Sequence, residues 1–259
     1  MGTRRHPRRP RLFVFARHAE SSANLEGLLS SDPARAVGLT ARGRTQAHQL
    51  GAQLANFDID LAVCSCFLRT RQTLELALGD RPVPVRSDAG FDEIRAGEFD
   101  GQPIGAYWSW EQHHTGSERF PHGESVDEAL LRYANALRRL LSRRETVTLL
   151  VIHEFALHHI AAAATTSSSR SFHLPFPNAL PYLFGERAIE RAADGLEASA
   201  RSDMTGHRAM SFSPRGDLDG APRASGCSIQ QQVELPHREA EPTVLNGRAA
   251  PNPRTARIR

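Results

Sequence analysis

Five residues of this chain carry side chains suited to a multiply charged oxyanion: Arg17, His18, Arg69, Glu93 and His153. Two arginines with no aspartate partner in their own motifs match the fork geometry that phosphate prefers. An imidazole between guanidiniums is kept neutral by like-charge repulsion, and a neutral imidazole can attack phosphorus. A carboxylic acid then protonates the departing oxygen. The set reads as phosphoryl transfer through a phosphohistidine, provided that the intervening elements bring the five residues together.

Those elements alternate. Arg11–Ala16 (RLFVFA) is a short apolar run, expected to be a strand buried on both faces, and Arg17 and His18 stand at its end. Thr40 suits the cap of a helix with an apolar stripe at Ala47, Leu50, Leu54 and Phe57. Leu61–Ser65 (LAVCS) reads as a second strand, followed by a helix near Arg69–Leu78. Pro82–Arg86 is a short third strand, with Glu93 a few residues beyond. Ser125 and Glu128 form a capping box for a helix burying Val126, Ala129, Leu130, Tyr133, Leu137 and Leu141. Thr146–Ile152 (TVTLLVI) is the strongest strand. It ends at His153, and an alanine-rich helix follows to about Ala164. The alternation predicts an α/β fold, a three-layer α/β/α sandwich with a mostly parallel central sheet, over residues 12–189. Ligands of such sheets bind at the carboxyl ends of the strands, where all five residues fall.

The residues around these positions carry a family resemblance. Arg17-His18-Ala19-Glu20, with Asn24 following, resembles the Arg-His-Gly-Glu signature of the histidine phosphatase superfamily, the phosphoglycerate-mutase-like fold. Leu39–Gly43 through Gln46-Ala47 is similar to that family's helix start, and Ser65–Thr73 (SCFLRTRQT) to its second-arginine motif. Glu93–Gly101 (EIRAGEFDG) is similar to its general-acid segment, Pro121–Ser125 (PHGES) to the loop before its next helix, and Val151-Ile152-His153 to its second-histidine strand end. The matches run in order over about 12–184. The resemblance implies that His18 is the nucleophile, that Arg17, Arg69, His153 and Asn24 cradle the phosphoryl group, and that Glu93 donates the proton. It implies a phosphomonoesterase with no metal and no organic cofactor, acting on a small phosphorylated substrate. The alternatives are a phosphoglycerate mutase and a non-catalytic phospholigand-binding protein. The mutase resembles the chain less, because residues 102–120 supply only Arg119 where a mutase has a longer basic insertion. The chain departs from the pattern at Ala19, where the family has Gly, and at Glu154-Phe155, where it often has Gly-Gly. A carboxylate at 154 either lowers anion affinity or recognises a substrate hydroxyl.

Composition sets outer bounds. Among the 259 residues the 32 cations are all arginine, against 29 acids. The absence of lysine removes Schiff-base and P-loop chemistry, and a net charge of +3 is weak for nucleic-acid binding. Three cysteines (Cys64, Cys66, Cys227) argue for a reducing compartment, and Cys64 and Cys66 are expected to pack on one strand face. No segment reaches membrane-span length, and the apolar run Leu12–Ala16 is too short for a secretory leader, so a cytoplasmic location is expected. Oligomeric state stays open. Residues 1–11, with five arginines and no acid, are expected to be a disordered arm. Residues 190–259, with nine Leu, Ile, Val or Phe among 70, are expected to be largely disordered, since a core becomes implausible below ~20%.

Each residue alone has a plainer explanation. Arg17-His18 suits a solvated strand end, Arg69 an exposed helix start, His153 a core histidine, and Asn24 a cap or turn. Asp92 and Glu98 compete with Glu93 for the acid role. His153-Glu154 with His158 and His159 imitates a zinc motif, but Leu157 occupies the second ligand position. His113 and His114 suit a solvated loop, and Trp108 and Trp110 either line a substrate mouth or pack.

Overall fold

The structure is a computed structural model; it describes residues 10–165, 176–202 and the pair Thr243–Val244. Six strands form one sheet: β1 (Leu12–Arg17), β2 (Leu61–Cys64), β3 (Val85–Ser87), β4 (Val147–Ile152), β5 (Pro181–Gly185) and β6 (Thr243–Val244). The order is β3-β2-β4-β1-β5-β6. The first four strands run parallel, and β5 is antiparallel to β1. The α/β class holds, with a mixed, mostly parallel sheet.

Alternation along the strands builds two cores. Phe13 and Phe15 of β1, Val63 of β2, and Leu150 and Ile152 of β4 face one way. They pack on α5 (Val126–Leu141), α6 (Glu154–Ala164) and α7 (Glu186–Ser202). Val14, Ala16, Ala62, Leu149 and Val151 face the other way, onto α2 (Ala41–Gln53) and α3 (Leu68–Leu78). The central strands β1 and β4 are buried on both faces, which is why they read as continuous apolar runs rather than alternating ones. Two shorter α-helices complete the set among the described residues, α1 (Ser22–Glu26) and α4 (Ile104–Glu111). Among the described residues no helix is long and apolar enough to cross a membrane.

The caps are where the sequence places them. Thr40 accepts from the Gly43 amide, and Ser125 and Glu128 close their capping box. Four expectations need correction. The boundary at 189 moves to 202, because α7 buries Ala188, Ile189, Ala192, Ala193, Leu196 and Ala200. Its stripe is mostly alanine, so counting large aliphatics misses it. Beyond 202 the expected disorder lies outside the described residues, except that Thr243–Val244 pairs with β5. Arg11 is not part of a solvated arm. It is buried, donates to the carbonyls of Leu140 and Leu141 at the end of α5 and of Glu145 in the loop beyond, and pairs with Glu186 at 3.2 Å. A cation there satisfies orphan carbonyls and opposes the helix dipole. The remainder of that arm, residues 1–9, lies outside the described residues. Finally, Cys64 is buried but Cys66 lies past the strand end and is exposed. The third strand starts three residues later than expected, at Val85.

Candidate active site

The register of the two central strands sets the geometry. Arg17 of β1 lies opposite Ile152 of β4, so the residues that follow, His18 and His153, emerge side by side. The His18 amide continues the ladder to the Ile152 carbonyl at 2.9 Å. The two imidazoles meet edge to face with centroids 5.4 Å apart. Arg69 enters from the first turn of α3, just beyond β2, and is buried. Glu93 enters from the loop after β3. Arg132 of α5 anchors that loop by donating to the carbonyls of Ala89, Gly90, Asp92 and Glu93, and it is itself paired with buried Glu124 at 2.5 Å. Glycine is required at Gly43, where α2 crosses the loop after His18: an added Cβ would lie 2.0 Å from the Glu20 carbonyl oxygen.

Donor logic fixes both histidines. His18 Nδ1 is 2.8 Å from the Ala19 carbonyl, so it carries the hydrogen and leaves a lone pair on Nε2. Arg69 Nε donates to that Nε2 at 3.1 Å. Arg69 Nη2 sits 3.0 Å from His153 Nδ1, and because a guanidinium only donates, this nitrogen accepts. His153 Nε2 then carries the hydrogen and donates to Ser65 Oγ at 2.8 Å. Ser65 passes the chain on to Thr70, 2.8 Å away, and Thr70 donates to the Phe67 carbonyl at 2.8 Å. Burial, with Arg69 beside them, holds both histidines well below the usual imidazole range, so both are neutral. Arg69 is held by Ser30, through Oγ at 3.0 Å and its carbonyl at 2.9 Å. Burial lowers its guanidinium to about 10, still charged at neutral pH.

Glu93 is the acid nearest the histidines, with Oε2 3.7 Å from His153 Nδ1. Burial raises its carboxyl to about 7, against the opposing pull of Arg69. Its competitors are committed elsewhere. Asp92 accepts from the Cys66 amide at 2.7 Å, and Glu98 is exposed beside His122. A carboxyl that holds its proton up to about pH 7, in the same cluster as a neutral imidazole with a free Nε2 lone pair, can serve as acid and nucleophile in phosphoryl transfer.

Arg17, His18, Arg69, Glu93 and His153 therefore converge. Asn24 is exposed, and its Oδ1 accepts from the amide and hydroxyl of Ser21 as the third residue of a second capping box. The cap engages only the oxygen and leaves the side-chain NH2 as a donor, so it is compatible with the expected binding role of Asn24. Ala19 avoids the left-handed region, so the missing glycine costs no strain, and its amide donates to Thr73 Oγ1. Glu154 lies beside the pocket, with Oε2 2.7 Å from Arg17 Nη1. Trp110 stacks on His114 and packs on Phe120, and Trp108 packs on the same core. His113 is exposed, whereas His114 is half-buried. Among the described residues no group of three or more His, Cys, Asp or Glu is placed to hold a metal ion.

Sequence reasoning missed four supporting groups: Ser30, Ser65, Asn178, whose amide donates to the His18 carbonyl at 2.7 Å, and the Phe176 carbonyl, which accepts from Arg17. Only Ser65 carried a signal, as a buried hydroxyl at a strand end inside the arginine motif.

A family model described as histidine phosphatase superfamily (branch 1) matches residues 13–182. An adenosylcobalamin/alpha-ribazole phosphatase of Escherichia coli is 37% identical over 90 residues, 35% of this chain and 43% of the relative. A 2,3-bisphosphoglycerate-dependent phosphoglycerate mutase of Nitrobacter hamburgensis is 32% identical over 136 residues, 47% of this chain and 64% of the relative. The chain thus spans less than two thirds of these curated relatives. The crystal structure of an alpha-ribazole phosphatase from Shigella flexneri superposes with a TM-score of 0.57 at 25% identity, covering 66% of this chain and 89% of that one.

Proposed function

Because the chain belongs to branch 1 of the histidine phosphatase superfamily, we propose that it is a phosphomonoesterase working through a phosphohistidine on His18. The observation that carries this reading is the unprotonated Nε2 of a buried, neutral His18 beside the Arg69 guanidinium. The substrate phosphoryl oxygens take over Arg69 Nε and the otherwise unpartnered Nε of Arg17. His18 Nε2 attacks phosphorus, and the bond to the ester oxygen breaks. Glu93 passes its proton to that oxygen, and the alcohol leaves. The Glu93 carboxylate then deprotonates a water, which attacks the phosphohistidine. The N–P bond breaks, phosphate departs and Glu93 is protonated again.

A mutase must also hold a second anionic group. Residues 102–120 contain one cation, Arg119, and it is engaged with Glu128 at 3.0 Å, which favours hydrolysis over transfer. Acid-labile phosphate on the His18 peptide, seen by mass spectrometry of quenched enzyme, is the expected result, with turnover that persists in EDTA. His18→Ala is expected to lose activity by several orders of magnitude. An active enzyme with no such adduct would overturn the mechanism.

A further inference from the structure

Arg17 is gripped from two sides by the chain itself. Its Nη1 lies 2.7 Å from Glu154 Oε2 and 2.9 Å from the Phe176 carbonyl, while its Nε is buried with no partner. Glu154 opens α6 directly after His153, and Glu93 lies 3.7 Å from His153 on the other side. Two carboxyls therefore flank the Arg17 and His153 side chains. Glu154 is the more open of the two, its side chain 34% exposed against 13% for Glu93.

We propose, resting on the phosphomonoesterase reading, that Glu154 restricts the pocket to phosphate esters of alcohols that carry no second anionic group. The charges favour this. Arg17 and Arg69 supply two positive charges, the histidines are neutral, and Glu93 holds its proton below about 7. Burial raises the Glu154 carboxyl, opposed by Arg17 at 2.7 Å and a backbone hydrogen bond at Phe176; in its ionised form it cancels half of the positive charge, leaving too little to neutralise even one phosphoryl dianion. The alcohol half of the ester sits at Glu93, which protonates its oxygen, and must leave past the more exposed Glu154. A carboxylate or second phosphate on that half meets a like charge in a partly dry site, where repulsion is strong. Nor do the cations of the described loops compensate. Arg119 is paired with Glu128, Arg35 with Asp100, Arg95 with Glu124 and Arg42 with Glu20. Discrimination is thus achieved by a repulsive element set against the wrong substrate.

The test compares glycerol 3-phosphate with 3-phosphoglycerate, which differ by one carboxylate at similar size. On the full-length chain, kcat/KM is expected to favour glycerol 3-phosphate by at least about tenfold, and Glu154→Gln to narrow that ratio about tenfold. Added salt should narrow it in the wild type only. The same ratio is read as dissociation constants by calorimetry on His18→Ala, with and without Glu154→Gln, so the inference does not depend on turnover. An unaltered ratio in Glu154→Gln, with both esters weakened alike, would mean that Glu154 only orients Arg17, and the proposal would fall. A wild type without a phosphoenzyme, yet with the binding ratio intact, would overturn the phosphatase reading alone. Equal or undetectable binding of both esters would overturn the selectivity.

Discussion

Replacing the proposed proton donor, Glu93→Gln, should slow the enzyme and stabilise it at once. Glu93 is nearly buried, and its carboxyl is raised from 4.5 to about 7 because burial penalises the charged form. A group whose folded value is raised contributes stability fully present below its unfolded value and lost as pH rises through the folded one. The window is therefore 4.5 to about 7. A displacement of this size amounts to about 3 kcal/mol, at about 1.4 kcal/mol per tenfold change in the protonation equilibrium. Glutamine does not titrate and fills the same space. Urea denaturation of both proteins should show the variant gaining about 3 kcal/mol on the wild type between about pH 4 and about pH 8. Over the same range wild-type kcat/KM should fall above about 7, where the donor has lost its proton. The variant should lose about a thousandfold on an alkyl phosphate, whose alkoxide needs the proton, and far less on p-nitrophenyl phosphate, whose phenolate leaves without it. A stability difference that does not change with pH, or equal rate losses on the two esters, would refute the assignment of Glu93 as a buried, protonated donor.

Other outcomes follow from the same contacts. Ser65→Ala removes the acceptor of the His153 Nε2 hydrogen, leaves that buried group unpaired at a cost of about 1–3 kcal/mol, and should produce a mixture of His153 tautomers in the imidazole 15N spectrum. A chain ending at 202 should keep the wild-type melting temperature within a few degrees, whereas one ending at 189 loses Ala192, Ala193, Leu196 and Ala200 from the core and should unfold many degrees lower. Gly43→Ala should cost about 1–3 kcal/mol by denaturation, because its Cβ collides with the Glu20 carbonyl and must push α2 from the loop after His18.

The parallel half of the sheet was legible because the strands β1, β2 and β4 are buried on both faces and end in residues that no core would choose. The capping box at Ser125 marked α5 for a similar reason: its side chains satisfy amides within one turn, so the information is local. What stayed hidden depends on distant partners. Nothing in Pro181–Gly185 states that it runs against β1, since strand direction is set by the connection and not by side chains. The core stripe of α7 is built of alanines that bury little area each and gain stability by close packing, so its composition imitates a solvated segment. Asn24 carries a second role that its motif does not announce: its amide oxygen closes a helix turn. Glu154 stood out as a departure, but its grip on Arg17 required the fold.

The Arg132 anchor has a bearing on how variants of this chain should be interpreted. One guanidinium on α5 holds four carbonyls of the segment that carries Glu93, and Glu124 holds the guanidinium. The segment has little regular structure of its own, so its order is borrowed from a helix whose other face belongs to the α7 core. Damage to that helix far from any reacting atom would loosen the acid before it melted the sheet. In a screen by activity such lesions would score as catalytic, and in a screen by abundance as silent. Substitutions along α5 are therefore expected to change turnover without touching the pocket, through the Arg132 anchor alone.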